Sequence, residues 1–303
     1  MSAHASAGFL DLPSEYRDAA SAQAAIIPVP YDLTSSWHKG ADQGPAALIK
    51  ASAAVEWYDI ETDACACKHG IITTPPVQHD GDPKSLAGKV STAVEQQWGA
   101  NRLPVVLGGE HSVSIGAIQA AAKRFPGMCV LQIDAHGDTR EAYEGSPYNH
   151  ACVMARAREV APVIQVGIRA IEAEERAGMD DARVVWGHEI QADLTCTRWI
   201  DRTLDLLSDR VYITIDLDAF DPSVLPATGT PEPGGLTWTQ MNQLLERVVQ
   251  RSEVVAFDVV ELCPREGMHA SDFTAAKLVY RLLSLIAHYR GGFVPASLAH
   301  AAT

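Results

Sequence analysis

Cys129-Val130-Leu131-Gln132-Ile133 runs straight into Asp134-Ala135-His136-Gly137-Asp138, and that junction decides the fold. A short, nearly continuous apolar run suits a strand buried on both faces, and a knot of acids around an imidazole has no packing role there. The pairing recurs. Pro104-Val105-Val106-Leu107 precedes Gly108-Gly109-Glu110-His111-Ser112, and Val211-Tyr212-Ile213-Thr214-Ile215 precedes Asp216-Leu217-Asp218-Ala219-Phe220-Asp221-Pro222. Val254-Val255-Ala256-Phe257 precedes Asp258-Val259-Val260-Glu261. Further apolar runs lie at 24–29, 70–73, 162–166 and 183–185, and stretches of helical periodicity at 112–124, 151–160, 237–250 and 271–289 fall between runs or after the last. Such alternation predicts an α/β protein: three α-β-α layers around a central, mainly parallel β-sheet. No repeat or linker interrupts it, so 1–303 reads as one domain with loose ends at 1–22 and 291–303.

In an open α/β sheet, the carboxyl ends of the strands are where sites are built. The four motifs therefore aim their acids and imidazoles at one rim. Bare carboxylates a few ångström apart in a low-dielectric crevice must be protonated or share a cation. Four aspartates and two histidines exceed the three or four ligands of a zinc site. They suit two oxygen- and imidazole-loving divalent ions, Mn(II) first, about 3.5 Å apart. In D-x-H-x-D and D-x-D the residues two apart would share one side of an extended strand end. Taken singly, each motif has a plainer reading: a D-x-D is often a turn or cap, and Gly108-Gly109 before Ser112 fits a tight strand-to-helix turn. Their joint occurrence at strand ends favours the metal reading.

The 303 residues carry 24 Lys+Arg against 38 Asp+Glu, a net charge of −14, with 47% hydrophobic and 20% charged residues. That composition excludes disorder, and the acidic balance argues against nucleic acid or an anionic membrane as partner. It favours a small cation, although surplus acid also serves solubility. Cys65, Cys67, Cys129, Cys152, Cys196 and Cys263 follow no disulfide ladder, and the lone C-x-C has no second pair at zinc spacing. Neither a leader-like N-terminus nor a run of about 18 apolar residues is present, which predicts a cytoplasmic protein.

At these motifs the sequence resembles the ureohydrolase superfamily, the binuclear manganese enzymes that include arginase and agmatinase. The resemblance begins at Pro30-Tyr31, Lys39-Gly40 and Gly44-Pro45, and takes in Thr228-Gly229-Thr230-Pro231-Glu232-Pro233-Gly234-Gly235-Leu236. It implies the arginase-like fold. It also implies that His111, Asp134, Asp138 and Asp216 hold one ion and His136, Asp134, Asp216 and Asp218 the other, with Asp134 and Asp216 bridging. Two Mn(II) per subunit, or Ni(II) as in some relatives, would carry a bridging hydroxide that attacks the guanidinium carbon and leads to urea release. Asp138 would help stabilise the intermediate, His150 would protonate the leaving amine, and Glu261 would pair with the guanidinium. A homo-oligomer, trimer or hexamer, is implied as well.

Residues 139–150, Thr-Arg-Glu-Ala-Tyr-Glu-Gly-Ser-Pro-Tyr-Asn-His, resemble the agmatinase branch, as do 33–40 and 55–59. Agmatine, giving putrescine and urea and hence a role in polyamine biosynthesis, is the favoured substrate. Arg140 and Lys39 keep a carboxylate-tailed compound such as guanidinobutyrate in play, and aminopropylagmatine, arginine and guanidine are further alternatives. A single-zinc amide hydrolase on this fold ranks low because it needs no such ligand set. An inactive metal-binding or scaffolding relative is the reading from another class. Trp37 and His38 stand in the mouth region without an assigned role. Trp238 and Phe273 read as core or interface, and His188, His269, His288 and His300 as solvated or capping.

Overall fold

The computed structural model describes residues 8–299 apart from 194 and 196, so Cys196 and His300 lie outside the described residues. The strands are β1 Ala24–Val29, β2 Ile71–Thr73, β3 Leu103–Gly108, β4 Cys129–Ile133, β5 Val163–Ile168, β6 Val184–Trp186, β7 Arg210–Asp216 and β8 Glu253–Val260. They form one sheet, ordered β2-β1-β3-β8-β7-β4-β5-β6, in which every described pairing is parallel. The helices are α1 Gly44–Ser52, α2 Pro83–Gly99, α3 Ser114–Arg124, α4 Val153–Arg158, α5 Ala173–Ala177, α6 Gly187–Ala192, α7 Arg198–Leu206, α8 Trp238–Arg251, α9 His269–Arg290 and α10 Ala296–Ala299. Parallel neighbours need crossovers, and the crossovers place helices on both faces.

Alternation along the strands sorts the core into two layers. Ala24 and Ile26 of β1 and Leu103, Val105 and Leu107 of β3 pack with Leu48 of α1, Leu244 of α8 and Leu278 of α9. Ile27 and Val29 of β1 and Val106 of β3 pack with Val90 of α2, Ile118 of α3 and Met154 of α4. A run with no polar face is thus what a sheet covered on both sides demands. The four motif-bearing strands β3, β8, β7 and β4 are contiguous at its centre, which brings segments far apart in sequence to one rim.

Both expected loose ends are anchored at a few buried residues, while 13–21 run mostly exposed. Phe9, Leu10 and Leu12 are buried, and Leu10 N donates to Ser52 Oγ at 2.7 Å. Phe293 is also buried and its N–H donates to Gln23 Oε1 at 3.0 Å. Polar flanks hid these few apolar anchors, yet burying each one is worth about 2 kcal/mol, enough to dock a short segment. The segment at 55–59 is tied to α9, where Arg281 donates to Asp59 Oδ1 at 2.7 Å and to Glu61 Oε2 at 2.6 Å. Trp238 stacks on Phe220, and Phe273 is largely exposed. His188, His269 and His288 are exposed. Among the described residues the cysteines are free, and no helix is long and apolar enough to cross a membrane.

Candidate active site

The acids converge through turns, not through strand alternation, which corrects the expectation for D-x-D and D-x-H-x-D. Asp216 is the last residue of β7, and its Oδ1 accepts the N–H of Asp218 at 2.9 Å as the chain enters a tight helical turn. Asp134 follows β4, with Oδ1 accepting from His136 N at 2.6 Å and Oδ2 from Gln132 Nε2 at 2.7 Å. Asp218 Oδ1 accepts from Ala135 N at 3.1 Å, stitching the two loops together. Glu261 Oε1 accepts from His111 N at 2.8 Å. A short acid capping its own chain two residues on is a local preference of Asp. That preference fixes one oxygen of Asp216, and the long-range N–H donors of Ala135 and His111 fix one oxygen each of Asp218 and Glu261, leaving the other for the rim.

His111 Nδ1 lies 3.0 Å from Asp138 Oδ2, 3.2 Å from Asp134 Oδ2 and 3.4 Å from Asp216 Oδ2. His136 Nδ1 lies 2.9 Å from Asp218 Oδ2 and 3.7 Å from Asp134 Oδ1. Behind His111, Nε2 meets Thr214 Oγ1 at 2.8 Å, while Thr214 donates to Asp258 Oδ1 at 2.6 Å and Tyr212 to Asp258 Oδ2 at 2.7 Å. With the Thr214 proton spent on Asp258, Nε2 must be the donor, and the Nδ1 lone pair is left facing the acids. Nδ1 is buried and makes no hydrogen bond despite its three oxygen neighbours. A cation between them resolves that repulsion. Two groups have the geometry for one: His111, Asp134 and Asp216, and Asp134, His136 and Asp218, sharing Asp134.

The electrostatics agree. Burial, with Asp134 adding repulsion, pushes the Asp138 carboxyl up to about 6, and burial with Asp218 and Asp134 raises Asp216 well above the usual range. Burial and Glu110 do the same to Glu261. Burial opposes ionisation of Asp218 too, but His136 holds it down at about 2. Burial lowers His150 to about 4. Two of these residues sit in left-handed backbone, Asp138 at φ 51 and Glu261 at φ 67. Such strain persists where neighbours over-determine it. Asp138 O accepts from Met154 N at 2.8 Å at the start of α4, and Glu261 N donates to Gly109 O at 2.8 Å. Gly109 is itself obligatory, since a Cβ there would lie 1.9 Å from Tyr31 O.

A cavity of about 350 Å³ opens over the cluster, lined by Asp138, Asp216, Asp218 and Glu261 at its floor. His150 stands in its wall: its backbone N–H donates to Thr34 Oγ1 at 3.0 Å, its ring Nδ1 and Nε2 meet Thr34 Oγ1 at 3.4 Å and Ser36 Oγ at 3.2 Å, and the Tyr143 ring meets it edge-on. Trp37 and His38 are exposed at the mouth. Opposite, Arg169 Nη2 donates to Asp218 O at 2.7 Å and Glu232 O at 2.8 Å, pinning the 228–236 loop to the end of β7. Gln132, Thr214, Arg169, Glu175 and the Thr34–Ser36 contacts escaped the sequence reading. Gln132 and Thr214 carried a signal, being polar residues inside buried strands. The apolar run at 254–257 places Asp258 beyond its strand, but β8 continues to Val260 and keeps it beneath the site.

Acids and imidazoles from four adjacent strand ends, set to hold two cations, have a known counterpart: the arginase family model matches residues 22–284. The chain belongs to the arginase family. One arginase-family relative, the N(1)-aminopropylagmatine ureohydrolase of Synechocystis sp., is 36% identical over 281 residues, 89% of this chain and 90% of that protein. The agmatinase of Pyrococcus horikoshii is 30% identical over 284 residues, 92% of this chain and 96% of the other. The agmatine ureohydrolase structure from Thermoplasma volcanium superposes with a TM-score of 0.82 at 29% identity, covering 91% of this chain and 94% of that one. The fold is the arginase-like α/β fold, and the protein is an arginase-family ureohydrolase, a hydrolase acting on guanidino C–N bonds.

Proposed function

We propose that this ureohydrolase releases urea from a guanidino polyamine, with N(1)-aminopropylagmatine ahead of agmatine. The observation that carries the tail chemistry is the cavity wall, where Glu172 and Glu175 stand against Arg140, the one lysine or arginine among the described lining residues. An acidic wall attracts a second or third ammonium and repels a carboxylate tail. The order within the class follows the relatives: four called N(1)-aminopropylagmatine ureohydrolase are 33% to 37% identical, against 30% and 31% for two agmatinases. The agmatine preference drawn from residues 139–150 thus becomes the second choice.

In this reading His111, Asp134, Asp138 and Asp216 hold one ion and His136, Asp134, Asp216 and Asp218 the other, Mn(II) in both places with Ni(II) as the alternative. When bound, the ions supply a water of lowered pKa and positive charge for developing negative charge. Glu261, one oxygen fixed by His111 N–H, offers the other to the planar guanidinium. His150, neutral at rest and with its ring held by Thr34 and Ser36, relays a proton to the departing amine nitrogen. A homo-oligomer, trimeric or hexameric, and a cytoplasmic setting suited to free thiols complete the proposal.

A urea-release screen over N(1)-aminopropylagmatine, agmatine, 4-guanidinobutyrate, arginine and guanidine, on protein loaded with Mn(II) or Ni(II), tests it. The expected order puts the two amine-tailed compounds on top. Preferred hydrolysis of arginine or 4-guanidinobutyrate overturns the substrate reading.

A further inference from the structure

Arg140 lines the cavity as a candidate reader of carboxylate tails, but it is engaged elsewhere. Its Nε donates to Glu175 Oε2 at 3.2 Å, its Nη2 lies 3.6 Å from Glu172 Oε1, and its guanidinium lies 4.4 Å from the centre of the Tyr143 ring. Glu175 is buried, with a side chain 8% exposed, and is the convergence point of the wall. Its Oε1 accepts from Thr139 N at 3.1 Å and from Thr139 Oγ1 at 3.3 Å, and its Oε2 also takes Glu172 N at 3.2 Å. The other candidate cation, Lys39, donates to Ser35 O at 2.8 Å and lies 3.6 Å from Asp32.

We infer that Glu175 is a specificity-determining residue: by clamping Arg140 against Tyr143 it withdraws the cation of the cavity wall, so that amine-tailed guanidino substrates enter and carboxylate-tailed ones are turned away. An arginine recognises a carboxylate through a pair of parallel N–H donors. Here one edge of the guanidinium faces Glu175, one face is covered by Tyr143, and two carboxylates offset the charge. A carboxylate tail would therefore meet two acids and an arginine whose Nε and Tyr143-facing side are already engaged, and like charge without a full partner is an effective means of rejection. Glu172 is exposed and 3.6 Å away, so its share is small; Glu175, buried and hydrogen-bonded, sets the state of the arginine.

The inference rests on the proposed ureohydrolase substrate class, and Glu175→Gln tests it. Glutamine keeps an oxygen for Thr139, and hence the chain after Asp138, while its amide N–H group opposes Arg140 Nε and frees the guanidinium. On Mn(II)-loaded protein, the ratio of kcat/KM for 4-guanidinobutyrate to that for agmatine is expected to rise at least about tenfold in Glu175→Gln, and to fall back in Glu175→Gln/Arg140→Gln. Glu172→Gln, at an exposed position that folds whatever Glu175→Gln does, shifts the ratio the same way by about twofold. Ratios unchanged in all three variants overturn the inference. Should the wild type release no urea from any guanidino compound, the functional reading fails separately. Calorimetric titration with 1,4-diaminobutane and 4-aminobutyrate then reads the inference as a ratio of Kd values, with the same expected order among variants and the same overturning result.

Discussion

Gln132 Nε2 donates to Asp134 Oδ2 at 2.7 Å, and that bond ends a one-way chain of donors. Arg158 Nη2, at the end of α4, donates to Gln165 Oε1 at 2.7 Å, and Gln165 Nε2 donates to Gln132 Oε1 at 2.6 Å. The two glutamines face each other across the β4–β5 ladder, both buried. Each amide is polarised in the same direction, so the positive end of the relay falls on the carboxylate shared by both candidate metal groups.

Gln165→Leu cuts this relay without touching a metal-facing atom. Metal affinity is expected to fall about fivefold, below the roughly tenfold to hundredfold typical of a partner bonded directly to a ligand, because Gln165 acts through Gln132. Competition against a chelator measures it, and an affinity within about twofold of wild type in a folded variant contradicts the assignment.

Asp134 is common to both groups, so Asp134→Asn should remove both ions and end urea release. Glu261→Gln should leave metal content intact while lowering kcat/KM at least about a hundredfold, because a guanidinium loses its charged partner. Elemental analysis beside a urea assay separates the two outcomes. Full metal loading in Asp134→Asn would count against the shared ligand.

The Asp59–Arg281 pair governs acid stability away from the site. Burial raises the Asp59 carboxyl, but the Thr62 N–H and Arg281 outweigh it and hold it below the usual value. A lowered folded-state value means the stabilisation is complete above the unfolded carboxyl's value, about 4, and fades as pH drops through the folded one. Asp59→Asn leaves the buried guanidinium only the exposed Glu61 as a charged partner and should cost about 2 kcal/mol at neutral pH. In denaturant titrations the gap to wild type should narrow below about pH 4. A constant gap down to pH 2.5 would refute that role.

Sheet class and metal motifs were legible because both are written locally: an apolar run, then a polar knot. All eight strands fall on the runs at 24–29, 70–73, 104–107, 129–133, 162–166, 183–185, 211–215 and 254–257; β1 and β4 match at both ends, and the other six are shifted at one end or both. Helices α1 and α7 escaped because each is only nine residues long with few buried apolar positions, whereas α2 carries a regular stripe through Leu86, Val90, Val94 and Trp98 that the sequence did show. What lay beyond reach is the fate of Arg140, which depends on Glu175, 35 residues on in a loop-flanked turn of helix. No period or local spacing encodes such a pairing. Arg169 was hidden for the same reason, since its partners at Asp218 and Glu232 are 49 and 63 residues away.

The left-handed backbone at Asp138 and Glu261 sets robustness against chemistry at two defined points. A glycine at either position relaxes the main chain by about 1 kcal/mol and removes a crowded acid. In chelator, Asp138→Gly and Glu261→Gly should melt above wild type, and with Mn(II) neither should release urea. Selection for heat resistance alone would therefore drive this protein toward inactivity at the residues its chemistry needs.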